Sequence, residues 1–170
     1  MEYSFRQAQP EDAAQIWEIL AQGIQRRKED GSQQWQDGYP NLSVVKADIE
    51  KGSGYVLTYT DIVVGYCAIL INDEPEYAKI NGKWLTDGDF VVYHRVAIAE
   101  NCLGRGLAQK MLLHIEDFAK QHSIYSVKAD TNFDNPGMLN IFQKLGYTYC
   151  GEVTFRGTPR KAFEKIITLN

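Results

Sequence analysis

The chain has 170 residues, of which 44% are hydrophobic and 24% charged, ordinary values for a soluble globular protein. Its length suits one domain with a full hydrophobic core, so we predict a single domain over residues 1–170. The net charge of -4 argues against nucleic acid as a partner, because phosphates require clustered Lys and Arg. The most apolar run, Ile62 to Ile71, is far shorter than the roughly 20 residues that cross a bilayer, so no membrane contact is predicted.

The amino terminus and the cysteines indicate the compartment. No basic segment followed by an apolar one opens the chain, so a cytoplasmic location is the default expectation. Cys67, Cys102 and Cys150 are widely spaced and form no Cys-x-x-Cys motif. We therefore expect free thiols in a reducing compartment, with neither a disulfide framework nor a zinc site.

The first part of the chain predicts a strand, a long helix and a loop. Tyr3 to Gln7 has the pattern of a short strand. A helix is expected from Pro10-Glu11-Asp12, because proline is tolerated in the first turn and acids face the positive end of the helix dipole. Arg26 to Lys28 suit the carboxyl end of that helix. Residues 31–41 are rich in Gly, Pro and polar side chains and predict a loop that carries aromatic residues.

The middle of the chain predicts a helix followed by a hairpin. Leu42 to Lys51 forms a shorter helix, and the β-rich runs Tyr55 to Tyr59 and Ile62 to Ile71 are joined by a tight turn. The acidic segment 72–87 is expected to be an extended excursion or a small hairpin. Its Asn81-Gly82 dipeptide is typical of a turn.

The second half predicts alternating strands and helices. Strands are expected at Asp89 to Ile98 and at Ile124 to Asp130, with an amphipathic helix between them. Pro136 to Leu145 forms a further helix, and two closing strands end at Leu169. The resulting order, β-α-α-β-β-β-α-β-α-β-β, indicates an α/β or α+β fold.

A glycine-rich loop precedes the amphipathic helix. Gly104 and Gly106 flank Arg105 at a helix amino terminus, where unpaired N-H groups and the dipole favour an anion such as phosphate. A P-loop requires Gly-Lys-Ser/Thr and a dinucleotide loop requires a third glycine, but Leu107 and Gln109 occupy those positions. Neither a nucleoside triphosphate nor NAD is therefore indicated. A plain turn before the helix is the alternative interpretation.

Two stretches together resemble a known family. "HRVAIAENCLGRGLAQKML", with Asn101-x-x-Gly104-x-Gly106, resembles the pyrophosphate loop of the GNAT superfamily of acetyl-CoA-dependent N-acetyltransferases, although Gln or Arg usually stands at Asn101. "DTNFDNPGMLNIFQKLGYTYCG" resembles the later strand-helix block of that family. "QWQDGYP" and "WLTDG" resemble a bacterial subgroup of it. The resemblance covers essentially the whole chain and implies a mixed, mostly antiparallel seven-stranded sheet flanked by about four helices.

The resemblance implies acetyl-CoA as co-substrate and no metal. Strand backbone would bind the acetyl and pantetheine parts, loop N-H groups and Arg105 would hold the pyrophosphate, and Asn135 would bond the pantetheine arm. Phe142 stands where the family usually has a tyrosine that donates a proton. The residues implied to contact the cofactor are Val96, Ala97, Ile98, Asn101, Cys102, Leu103, Gly104, Arg105, Gly106, Leu107, Asn135 and Phe142.

The implied reaction moves an acetyl group to a primary amine of a small molecule, amino acid or peptide by direct attack in a ternary complex. The amine must first lose a proton, and His94 is the candidate base because its pKa can be tuned to neutral pH. In a regular strand His94 lies on the same face as core residues, so a buried structural histidine is the alternative. A bulge near Val96 would change which face of the strand His94 lies on. The backbone N-H of Val96 is the candidate donor to the oxyanion.

Other readings of the same residues stay open. Cys102 would be the nucleophile of a covalent route, for which no base is evident. Tyr147 or Tyr149 would replace the missing acid, although packing also explains both. Because Phe142 cannot donate a proton, a non-catalytic acyl-CoA-binding regulatory module is the alternative function.

The acceptor side is predicted from aromatic and acidic residues. Trp35, Tyr39 and Trp84 are candidates for the walls of an acceptor pocket, and Asn132 for a contact with the acceptor. The alternatives are that the aromatics fix loops to the core and that Asn132 caps a turn. A homodimer is left open. The acids expected to attract a cationic amine, or else to be solvated, are Asp37, Glu74, Asp87 and Asp89.

Overall fold

A computed structural model describes residues 2–168 of the protein. A β-sheet forms its framework. Within that range eight strands form one sheet in the order β1-β2-β3-β5-β6-β8-β7-β4. The strands are β1 Tyr3–Gln7, β2 Gly54–Tyr59, β3 Ile62–Ile71, β4 Asn81–Gly82, β5 Val91–Ile98, β6 Ser126–Thr131, β7 Thr148–Phe155 and β8 Thr158–Ile166. The four α-helices of the described range are α1 Ala13–Glu29, α2 Leu42–Lys51, α3 Leu107–Gln121 and α4 Pro136–Leu145.

The predicted fold class is confirmed with one additional strand. β5 and β6 are parallel. The pairs β1·β2, β2·β3, β6·β8, β7·β8 and β4·β7 are antiparallel. The described residues divide into two compact units, a first unit of residues 2–69 and 94–114 and a second unit of residues 70–93 and 115–168. The expectation of a single domain stays a prediction.

In the first unit, β1, β2 and β3 form an antiparallel sheet in which Tyr3 lies opposite Tyr59. Thr60 and Asp61 have φ of 48° and 67°, the left-handed backbone that a two-residue hairpin turn requires. The predicted hairpin is therefore confirmed. β3 is buried over most of its length, as its apolar run predicts.

In the first unit α2 begins and ends where the sequence predicts, whereas α1 begins at Ala13, three residues after the predicted start at Pro10. A 3-10 turn over Pro10–Asp12 leads into α1, and the Asp12 carboxylate pairs with Arg6 at 2.8 and 3.0 Å. The side chain of Asn41 accepts a hydrogen bond from Val44 N at 3.0 Å and so caps α2. Gly52, with φ 74°, ends α2 in the left-handed conformation that favours glycine.

In the second unit, a buried carboxylate fixes the segment before β5 to the sheet. Glu164 of β8 accepts hydrogen bonds from Leu85 N at 2.7 Å, Thr86 Oγ1 at 2.5 Å and Ser126 Oγ at 2.6 Å. Three donors compensate for the removal of this charge from water. Glu164 is thus one of the groups that hold the long connection between β3 and β5 against the sheet.

Two sequence predictions about the second unit need correction. Asn81-Gly82 is not a turn but forms β4, with Gly82 opposite Gly151 of β7. A Cβ on Gly82 would lie 2.2 Å from Cys150 O, so glycine is required here for close approach of two backbones rather than for a turn. β8 ends at Ile166, and the predicted strand end at Leu169 lies outside the described residues.

Gly151→Ala should destabilise the second unit. The added Cβ would lie 2.3 Å from Asn81 O, so β4 must move away from β7. Gly157→Ala is the matched control, because Gly157 also has positive φ, 79°, but nothing lies within 4 Å of its Cβ position. We expect denaturant titration to show a free energy of unfolding about 1–3 kcal/mol lower for Gly151→Ala than for the control. Equal losses would show that the backbone contact contributes nothing.

Candidate active site

Strand β5 has an irregular backbone conformation at the position where the site was predicted, which we call the bulge at Arg95. Arg95 has φ 59°, a left-handed conformation inside a strand, between His94 and Val96. A left-handed residue inside a strand interrupts the alternation of side chains. His94 and Arg95 are accordingly both half-buried, whereas Val96 and the following residues of β5 are buried. The alternation of faces that grouped His94 with core residues therefore cannot be applied across Arg95.

The Arg95 side chain is held by a buried polar cluster in the first unit. Its Nε lies 3.0 Å from Asp48 Oδ2 and its Nη2 lies 2.7 Å from Asp48 Oδ1, a bidentate pair. Tyr66 donates its hydroxyl to the same carboxylate at 2.5 Å, and Tyr39 contacts Arg95 Nη1 through its hydroxyl. We call these four residues, Tyr39, Asp48, Tyr66 and Arg95, the Arg95 cluster. The paired side chains of Arg95 and Asp48 are only 10% and 8% exposed.

The electrostatics of the Arg95 cluster keep Tyr66 and Arg95 protonated. Burial raises the pKa of Tyr66, and the neighbouring Asp48 carboxylate raises it further. Burial opposes the charged form of Arg95, but Tyr39 and Asp48 outweigh it and the pKa of Arg95 lies above its ordinary value. Tyr66 therefore stays a donor and Arg95 a cation at neutral pH.

The predicted pyrophosphate loop also lies in the first unit. Gly104 and Gly106 have φ of 79° and 71°, and nothing lies within 4 Å of a Cβ on either. Glycine is thus needed for the backbone conformation and not for packing. Residues 103–106 are exposed, and α3 begins at Leu107, whose side chain is buried. Exposed backbone at the amino end of a long helix suits an anion.

Cys102 does not lie at the amino terminus of α3. It belongs to a 3-10 turn over Glu100–Cys102 that precedes the glycines, and its N-H donates to Ala99 O at 2.9 Å. Its thiol is buried and lies 3.4 Å from Asn101 Oδ1, which is not a base. The arrangement gives no support to a covalent route. Cys67 and Cys150 are buried free thiols as well.

Asn135 and Phe142 belong to the second unit. Asn135 accepts a hydrogen bond from Met138 N at 3.2 Å through its side chain and so caps α4. The Phe142 ring is fully buried and packs on the rings of Tyr147 and Phe163, with centroids 4.8 and 4.7 Å away. Phe142 is therefore a core residue of this unit.

Tyr147 is the phenol next to Phe142. Tyr93 donates its hydroxyl to that of Tyr147 at 2.9 Å, and both side chains are buried. Burial raises the pKa of Tyr147, so its hydroxyl stays protonated at neutral pH. Tyr149 is exposed and packs edge-on against Phe163.

The end of β6 carries two buried polar atoms without partners. Thr131 Oγ1 and Asn132 Oδ1 form no hydrogen bond within the described structure, and Asn132 is 6% exposed. Asn132 Oδ1 therefore does not cap a turn, which was the alternative role. An unpaired buried acceptor costs about 1–3 kcal/mol, so it is suited to an N-H donor of a bound molecule.

Trp84 lines a cavity of about 540 Å³ in the second unit, which we call the Trp84 cavity. The indole of Trp84 donates to Tyr77 O at 2.8 Å, and the Tyr77 hydroxyl donates to Asp130 Oδ2 at 2.6 Å. Both aromatic residues are thus fixed to the sheet and to each other. The lining includes Glu74, Tyr77, Trp84, Asp87, Phe90 and Lys128, and it does not include Trp35, Tyr39, Asp37 or Asp89.

Trp35 and Tyr39 have packing roles in the first unit. Trp35 is 6% exposed, and the Cζ of Arg27 lies 4.0 Å from its ring centroid. Its ring also covers Gly23, where a Cβ would lie 3.1 Å from the indole. Trp35 therefore fixes its loop to α1, the packing alternative that the sequence left open. Tyr39 is a member of the Arg95 cluster.

The comparisons with known proteins identify the family. The family model described as the acetyltransferase (GNAT) family matches residues 16–147. The chain therefore belongs to the GNAT family of acetyltransferases. It is an acyltransferase of the family whose co-substrate is acetyl-CoA, as the sequence predicts. No curated protein matches the chain significantly.

Solved structures support the same family. A GNAT acetyltransferase from Streptococcus agalactiae is 34% identical, with a TM-score of 0.90 over 98% of this chain and 96% of that one. A GNAT acetyltransferase from Listeria monocytogenes shares the fold at 19% identity and a TM-score of 0.79, over 98% and 96% of the two chains. The YncA protein of Salmonella typhimurium, solved with acetyl-CoA, is 18% identical with a TM-score of 0.66, over 100% and 96% of the two chains.

Within residues 2–168 no group of three or more His, Cys, Asp or Glu side chains is arranged to hold a metal ion. In the same range no helix combines the length and the apolar character needed to span a bilayer.

Asp48→Asn should destabilise the first unit strongly. It leaves the Arg95 guanidinium buried without its counter-ion, a change that typically costs about 3–5 kcal/mol. The control is Glu76→Gln, which removes an exposed ion pair with Lys79 at 3.6 Å and should cost at most about 1 kcal/mol. Denaturant titration measures both. Equal effects of the two variants would contradict a buried, paired Arg95.

Proposed function

We propose that the protein is an N-acetyltransferase that moves an acetyl group from acetyl-CoA to a primary amine of a small molecule, amino acid or peptide. The reaction proceeds by direct attack in a ternary complex. The observation that carries this proposal is the arrangement of the first unit, in which the bulge at Arg95 is followed by two left-handed glycines and the amino terminus of α3.

The cofactor is proposed to bind along β5 and the glycine loop. Backbone N-H groups from Leu103 to Leu107 receive the pyrophosphate, and the exposed side chain of Arg105 adds positive charge. The backbone of Val96 to Ile98 receives the acetyl and pantetheine parts. A bulge takes one residue out of the ladder, which is how a strand offers backbone groups to a ligand.

In the proposed reaction the amine nitrogen attacks the thioester carbonyl carbon. The new C-N bond forms, the C-S bond breaks, and coenzyme A leaves as a thiolate. Negative charge on the carbonyl oxygen is stabilised by the N-H of Val96, which follows the bulged residue. His94, half-buried beside the bulge, takes the proton of the attacking amine, directly or through water.

Departure of the thiolate does not require a strong acid. A thiol has a pKa of about 8.5, so its thiolate is a tolerable leaving group at neutral pH. The lack of a proton-donating tyrosine at position 142 therefore slows the proposed reaction less than it would with a poorer leaving group. Tyr147, protonated and packed on Phe142, is the candidate donor where one is used.

For the acceptor we propose a contact with Asn132. Its buried Oδ1 is without a partner in the described structure and accepts a hydrogen bond from an N-H group of the acceptor. Trp84 is proposed to contact the acceptor through its ring, because it lines a cavity with carboxylates that attract a cationic amine.

A panel of primary amines tests the function directly. Thiol release from acetyl-CoA should be stimulated by at least one class of amine, amino acid or peptide, and mass spectrometry should find the product heavier by one acetyl group. Tight binding of acetyl-CoA with no turnover for any amine would instead support the non-catalytic regulatory module that Phe142 suggests.

Replacement of Gly104 and Gly106 by valine should weaken coenzyme A binding. A β-branched residue at positive φ is strained by about 1–2 kcal/mol, so roughly a tenfold loss of affinity is expected if the loop must keep its shape to bind. The control is Gly157→Val, which places the same strain in the turn between β7 and β8. Calorimetry with coenzyme A measures the affinities. Unchanged binding in the double variant would refute the pyrophosphate assignment.

His94→Ala should lower turnover about 10²- to 10⁴-fold while acetyl-CoA affinity stays nearly constant, since a general base acts on the amine and not on cofactor binding. His122→Ala is the control, because His122 is an exposed residue at the end of α3 whose ring Nδ1 contacts Phe118 O. Steady-state kinetics and cofactor titration separate the two effects. Near-full activity of His94→Ala would exclude His94 as the base.

A further inference from the structure

Lys128 of β6 is a buried lysine at the Trp84 cavity. The residue is 4% exposed. Its Nζ lies 4.5 Å from the ring centroid of Trp84 and 4.3 Å from that of Phe90, and all three residues line the cavity. Within the described structure Nζ forms no hydrogen bond and no ion pair. The ammonium group of Lys128 therefore lies at the cavity, and its protein contacts are the faces of these two aromatic rings.

The ammonium group of Lys128 is only partly compensated by its protein contacts. It carries three N-H donors, and cation-π contacts replace only part of its hydration. Burial lowers the pKa of Lys128, although the Glu164 carboxylate opposes that change. Glu164 itself is engaged with Leu85, Thr86 and Ser126. An anionic oxygen in the cavity would accept hydrogen bonds from the ammonium group, which the ring faces replace only in part.

The same cavity also carries carboxylates. Asp73, Glu74 and Asp87 belong to its lining, and Asp73 and Asp87 are exposed. Asp87 is close enough to raise the pKa of Lys128, yet it forms no ion pair with Lys128 within the described structure. A simple anion would meet Lys128 but would be repelled by these acids. A molecule with both charges meets Lys128 with its anionic end and the acids with its cationic end.

The remaining lining is apolar. Pro75, Tyr77, Ile80, Trp84 and Phe90 give the cavity aliphatic and aromatic walls. Its volume of about 540 Å³ lies in the range of small-molecule sites, roughly 300–1,000 Å³. The walls favour a ligand with an apolar group next to its charged ends.

We infer that the Trp84 cavity binds a free α-amino acid with an apolar side chain, whose carboxylate pairs with Lys128 and whose ammonium group faces Asp73, Glu74 and Asp87. The site is built from residues of the second unit alone. The inference rests on the proposed function in one respect, since it names the class of acceptor for the cavity in which Trp84 is proposed to contact it. Binding of the amino acid is measured without acetyl-CoA, so the inference can fail while acetyl transfer to another amine is still observed.

Calorimetry of the full-length protein with three probes tests the charge pattern. L-Phenylalanine carries both charges, L-phenylalaninamide lacks the carboxylate, and 3-phenylpropanoate lacks the ammonium group. We expect L-phenylalanine to bind at least about tenfold more tightly than either analogue, since each loses one charge-assisted contact. The inference is overturned if L-phenylalanine fails to bind at millimolar concentration or if either analogue binds equally well.

Lys128→Met tests the anchor. Methionine keeps an unbranched side chain between Trp84 and Phe90 but removes the ammonium group, so L-phenylalanine affinity should fall at least about tenfold. Lys79→Met is the control, because the exposed Lys79 does not line the cavity. Equal affinity of wild type and Lys128→Met would overturn the assignment. Should that variant not fold, the indole N-H signal of Trp84 in the wild-type protein decides, since L-phenylalanine must shift it.

Discussion

The bidentate pair between Arg95 and Asp48 is the interaction on which the candidate active site depends. It joins α2 to β5 and holds the one residue of β5 that has a left-handed backbone. An unpaired guanidinium could not be buried at this position, because desolvation of a single charge is too costly. The Asp48 carboxylate therefore stabilises the buried position of Arg95 at this point of β5. Tyr66 and Tyr39 complete the hydrogen bonds of this pair from β3 and from the loop before α2.

Much of the fold can be predicted from local sequence patterns. The bounds of β1, α2 and α4 agree with the sequence prediction because each is set by a nearby signal, such as Asn41 and Gly52 around α2. The exception is Asn81-Gly82, where a dipeptide typical of turns forms a strand. Its conformation is decided by Gly151, far along the chain, and no local rule carries that information. The number of strands was underestimated for the same reason.

The candidate active site likewise has one part that local sequence patterns predict and one part that they do not. The glycine loop could be predicted, because positive φ at Gly104 and Gly106 is a property of glycine in a recognisable spacing. The Arg95 cluster was not predicted, although a signal existed: Asp48 lies on the buried face of α2 with Val45, and a carboxylate there needs a partner. The partner itself is 47 residues away in sequence, and single-sequence reasoning does not pair such positions. The packing role of Trp35 likewise depends on a contact with Arg27 of α1, which the sequence pattern does not indicate.

The close approach of Gly82 and Gly151 has a consequence for behaviour at high concentration. β4 stands at one margin of the sheet and is only two residues long. A strand of two residues itself exposes few unpaired backbone groups along which another chain could add a strand. The two glycines thus bring in a strand just long enough to cover part of β7 and too short to serve as a template for self-association.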